Sequence, residues 1–118
     1  MSQAAQVLVA LVALLHLYFM VLEMFLWNRP YGRRVFGLTA EFAAASRALA
    51  ANQGLYNGFL AAGLLWGLYL GAGGRAVQIF FLVCVVLAGV FGGLTASRKI
   101  LLVQALPGAV ALGFRLAA

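Results

Sequence analysis

The chain has 118 residues, 66% of them hydrophobic, with eight basic and two acidic side chains and a net charge of +6. A soluble domain of this length has too little interior to hide that much apolar surface, so the composition points to an all-α integral membrane protein. Nucleic-acid binding is excluded on distribution, because the basic residues form no block and accompany no nucleic-acid motif.

Four apolar stretches read as membrane spans, from Gln3 to Trp27, Ala48 to Ala72, Ala76 to Leu94 and Ile100 to Phe114, within one domain covering 1–118. The first contains VLVALVALLHLYFMVLEMFLW and has no basic residue before Arg29, so it does not fit a cleaved signal peptide. Pro30 and Gly32 in NRPYGRR are then expected to break helix and turn the chain. Thr39 has the character of a helix N-cap, with Glu41 as a solvated charge in the first turn. From there a helix runs unbroken into the second span, or a short interfacial helix bends near Gly54. In the short fourth span Leu106-Pro107-Gly108 predicts a tilt, a kink or a thinly spanning segment.

Glycines recur at four-residue spacing as Gly54/Gly58, Gly63/Gly67/Gly71 and Gly89/Gly93, a pattern that lets membrane helices approach closely. Those of the second span fall on more than one side, which predicts close neighbours within the chain or in a second subunit. Arg29, Arg33, Arg34, Arg47, Arg98 and Lys99 lie in two connections, against Arg75 and Arg115 on the other side. Six against two places both basic connections in the cytoplasm, next to anionic lipid, and both termini outside. In a prokaryote the location would be the inner membrane. Cys84 is the only cysteine, falls mid-span and reads as a small apolar side chain.

The polar residues inside the spans are not scattered. Glu23 lies near the cytoplasmic end of the first span, and His16 precedes it by seven positions on nearly the same helical face, about 10 Å along the axis. An ionisable group at such depth costs roughly 2.5–3.5 kcal/mol, so it is expected to have a partner. Asn52, Gln53, Tyr56 and Asn57 open the second span, Thr95 closes the third, and Gln104 lies one turn into the fourth. All belong to the cytoplasmic half, with His16 near the midplane. Gln53 and Asn57 share a face, as do Asn52 and Tyr56, while His16, Met20, Glu23 and Trp27 form a stripe. Opposing these faces would let an amide satisfy Glu23. The bland alternative is that these groups merely bond one another and brace the helices. A metal site is not expected, since His16 and Glu23 are too far apart to share an ion. Haem ligation by His16 is weighed against, because a lone histidine on an apolar face is usually just hydrogen-bonded.

HLYFMVLEMFLW, the VFG after the basic loop, ANQGLYNGF, GGLT and ILLVQALP together resemble the small integral membrane family catalogued as domain of unknown function 1304, over nearly the whole chain. ANQGLYNGFLAAGLLWGLYL also resembles the second span of the MAPEG superfamily, trimeric four-helix membrane enzymes of eicosanoid and glutathione metabolism. Asn52 and Tyr56 match that pattern by position. Leu55 stands where the superfamily has Glu, and Arg47 lies one residue too far upstream, so both departures count against glutathione. That resemblance implies a four-helix, MAPEG-like fold and a homotrimer with sites between subunits.

The leading functional expectation is a membrane-embedded enzyme acting on a lipophilic small molecule. A carboxyl group among apolar side chains suits proton transfer, so Glu23, with His16 and Tyr56, is the catalytic candidate. Asn52, Gln53, Asn57 and Gln104 would orient substrate, and Arg98 and Lys99 would hold an anionic head. The alternatives are a proton-coupled small exporter using Glu23 and a structural or lipid-binding protein. The nearly apolar outer halves of the spans argue against an exporter, which needs a path to both sides.

Overall fold

The computed structural model describes residues 2–118 and is all-α. Helix α1 spans Gln3–Met24, α2 Pro30–Phe36, α3 Ala40–Tyr69, α4 Arg75–Thr95 and α5 Leu106–Ala117. A 3-10 turn at Gly71–Gly74 joins α3 to α4, and a π-helical turn at Leu101–Ala105 leads into α5. Two stretches, Gln3–Met24 and Gly71–Thr95, are long and apolar enough to cross a membrane, and Leu101–Ala117 is a shorter apolar helix. Only 28% of the most apolar window is buried in each of the two long ones, whereas the core helix of a soluble protein would be mostly covered.

Local chemistry accounts for the boundaries. Ser2 Oγ accepts the amide of Ala5 at 3.2 Å and caps α1. Thr39 Oγ1 accepts the amide of Phe42 at 3.1 Å, with Glu41 exposed in the first turn, so the expected cap of α3 is present. Helix α3 then continues without a bend at Gly54. Gly37 (φ 67°) and Gly71 (φ 65°) take the left-handed conformation that ends α2 and turns the chain after α3.

Pro30 and Gly32 do not break helix as expected; they help to build α2. Proline is suited to the first helical position, where no partner for its missing N–H is needed. Gly32 is buried, and a Cβ there would stand 1.9 Å from the Leu26 carbonyl oxygen. The missing side chain lets α2 fold back against the end of α1. Gly32→Ala should therefore cost about 2 kcal/mol of stability through backbone displacement, read by denaturation in mild detergent.

The chain divides into two compact units, one made of the segment up to Leu14 with Leu60–Ala118 and the other of Leu15–Phe59. In the first, Val9, Val12, Ala13, Leu64, Leu82, Val85 and Ala111 form the buried core. Gly63 packs under the Phe81 ring, and Gly67 against Gln78, whose amide donates to the Gly67 carbonyl at 3.0 Å. A Cβ on Gly89 would lie 2.5 Å from the Ala105 amide nitrogen, so α4 touches the π turn backbone to backbone. Pro107 lacks an N–H and stands in the first turn of α5, directly after that π turn.

The glycines of α3 thus find partners inside the chain. Gly54 and Gly58 meet α1, while Gly63 and Gly67 meet α4. Their spacing reports close packing within each unit and does not itself require a second subunit.

Candidate functional site

Glu23 and Asn57 form a pair between α1 and α3 in the Leu15–Phe59 unit. Asn57 is 5% exposed, and its side-chain amide donates to Glu23 Oε1. The approach depends on glycine. A Cβ at Gly54 would fall 2.6 Å from Met24 Cγ and 3.0 Å from Glu23 Cβ; at Gly58 it would fall 2.8 Å from Met20 Sδ. With Gly54, Asn57 and Gly58 on one face, the helices come close enough for a short asparagine side chain to reach the carboxylate. A leucine-sized residue at Gly54 would hold the amide out of range.

One turn further along, Trp27 Nε1 donates to Ser46 Oγ at 3.0 Å, and Ser46 Oγ donates to the Phe42 carbonyl at 2.7 Å. The Trp27 ring also lies against Phe36, with centroids 4.9 Å apart. The stripe read from the sequence therefore faces α3 at Met20, Glu23 and Trp27. His16, its remaining member, is fully buried and meets Phe19 edge-on at 5.4 Å between ring centroids.

Of the other candidates, Asn52, Gln53 and Tyr56 are exposed on α3, with Tyr56 beside Phe59. The Gln53/Asn57 face expected to oppose α1 is replaced by the Gly54/Asn57/Gly58 face, because only glycine permits the contact distance. Gln104 lies half-buried in the π turn of the other unit, and Arg98 and Lys99 are exposed in the connection before it. The structure thus unites Glu23 with Asn57. It places Asn52, Gln53 and Tyr56 on exposed helix surface.

Beyond Met24, a half-open cleft of about 200 Å³ is lined by Met24, Phe25, Trp27, Asn28, Arg29 and Arg47. None of these was assigned to a site from sequence. Arg29 and Arg47 read there only as members of a basic connection next to anionic lipid, since nothing in the linear pattern shows that residues 29 and 47 converge. Among the described residues no group of histidine, cysteine or acidic side chains could hold a metal ion.

A family model described as "Protein of unknown function (DUF1304)" matches residues 10–116. The uncharacterized protein YpaA of Lactococcus lactis subsp. lactis (strain IL1403) is 33% identical over 100 residues, covering 83% of this chain and 84% of its own. No solved structure matches.

Proposed function

The chain belongs to the DUF1304 family, and we propose that it is a multi-pass membrane protein with a small-molecule site at Glu23. The reaction is acid/base chemistry on a lipophilic substrate, with Glu23 moving the proton and Asn57 fixing the carboxylate. The observation that carries this reading is the Glu23–Asn57 pair, a lone carboxylate set into an apolar helix and held by a buried amide. A side chain so costly to insert is a natural place for chemistry.

Membrane residence is supported by the outward apolar surface: Phe80, Leu87, Phe91 and Leu94 on α4 are 62–76% exposed, which suits lipid and not water. In this reading α1, the later part of α3, α4 and the Leu101–Ala117 segment cross the bilayer. The two basic connections face the cytoplasm, with both termini outside. The same exposed surface can seat neighbouring copies, and the MAPEG resemblance makes a homotrimer of four-helix subunits the assembly proposed. His16 and Tyr56 are accessory to the proton step, and Asn52 and Gln53 are polar contacts for the substrate.

The test is to purify wild type, Glu23→Gln and Asn57→Leu in mild detergent and compare their organic extracts by chromatography and mass spectrometry. Wild type should carry a species enriched over bulk lipid. Glu23→Gln should retain a different, unreacted species, because an amide keeps the shape but moves no proton. Identical extracts from all three, with nothing enriched, would sink the reading.

A further inference from the structure

We propose that the cleft beyond α1 is a phosphate-binding site, formed by Arg29 and Arg47, with Trp27 and Phe25 as the wall for the carbon part of a phosphate ester. It goes beyond the acid/base reading and does not require proton transfer at Glu23. Arg29 precedes α2 and Arg47 belongs to α3, so two positive side chains distant in sequence line one cavity with no acidic residue among its lining. Neither guanidinium has a hydrogen bond or ion pair to another side chain among the described residues. Bringing like charges together is unfavourable unless solvent or an anion lies between them.

The cleft is also built and not merely left over. The Trp27–Ser46–Phe42 hydrogen-bond relay fixes its wall to α3 immediately before Arg47. On the loop side, Arg33 Nη1 donates to the Asn28 carbonyl at 3.3 Å and holds the backbone between Trp27 and Arg29. Arg33 is thereby engaged elsewhere, which leaves Arg29 and Arg47 for a ligand.

The chemistry favours phosphate over carboxylate. One guanidinium fork already matches both oxygens of a carboxylate, whereas a phosphate presents more oxygens and up to two charges, enough for two forks. A cavity of about 200 Å³ has space for a phosphate and its ester group. The phosphate could be carried by a lipid head group or by a soluble ester, and the two are separable.

The experiment reads Trp27 fluorescence in a Trp66→Phe background, which removes the only other tryptophan. The full chain in neutral detergent is titrated with glycerol 3-phosphate and, separately, with dihexanoylphosphatidylglycerol, at constant ionic strength. A saturable change is expected, weakened roughly tenfold or more by Arg29→Gln and by Arg47→Gln. Arg34→Gln removes the same charge from an exposed position outside the cleft and should leave it unchanged. A response to the phospholipid alone supports the site with a lipid head group as occupant. A response to glycerol 3-phosphate alone supports it with a soluble ester, and a response to both assigns recognition to the phosphate itself. No saturable change with either probe, or equal weakening by Arg34→Gln and Arg47→Gln, overturns the site.

Discussion

Asn57→Leu is expected to destabilise the protein by about 3 kcal/mol, while Glu23→Leu combined with Asn57→Leu should regain most of that loss. Leucine nearly matches asparagine in volume, so the single change leaves packing almost intact. What it removes is the amide that donates to Glu23 Oε1. The carboxylate is then held against Gly54 in an apolar setting with that donor gone, and desolvation is no longer offset. Replacing both partners abolishes the polar demand together with its supply. Reversible unfolding in mixed micelles over the full double-mutant cycle measures the coupling. Additive single effects, or a neutral Asn57→Leu, would mean that the amide does not hold Glu23, and the site geometry would fall with it.

Arg115→Met should change stability in the opposite sense, raising it by up to about 4 kcal/mol. Arg115 is fully buried at the end of α5, and among the described residues Nε, Nη1 and Nη2 find no hydrogen-bond partner. Its own carbonyl and that of Leu116 accept Arg75 Nη2 at 3.4 and 3.2 Å, which brings a second positive charge alongside. The unit containing both arginines has no aspartate or glutamate; Glu23 and Glu41 belong to the Leu15–Phe59 unit. Methionine keeps an unbranched stem of similar length and discards a charge that no acidic side chain of the unit neutralises. Thermal unfolding of the two proteins in the same detergent is the comparison. A loss of more than about 1 kcal/mol would show that an anion from outside the chain holds the guanidinium.

Much of this architecture is legible along the chain because its causes are local. Apolar length marks α4 to within one residue at each end and α1 to within three at its C-terminus, and the Thr39 cap with Glu41 marks the start of α3. The need of Glu23 for an amide partner also follows from sequence, since the cost of an isolated carboxylate in an apolar helix is independent of what surrounds the helix. Which amide answers that need was decided by the tertiary structure. Gln53 and Asn57 share a helical face, but the contact turns on Gly54 and Gly58, where a missing Cβ brings α1 and α3 together and selects Asn57. The same limit applies to α2. Pro30 and Gly32 look like helix breakers until Leu26 is known to lie against Gly32, which turns the absence of a side chain into a packing requirement. The convergence of Arg29 and Arg47 on one cleft had no linear signature at all, because it depends on how the end of α1, the turn and α3 fold back on one another. Periodicity and insertion cost are properties of one segment, whereas contact distance belongs to two, and only the folded chain determines it.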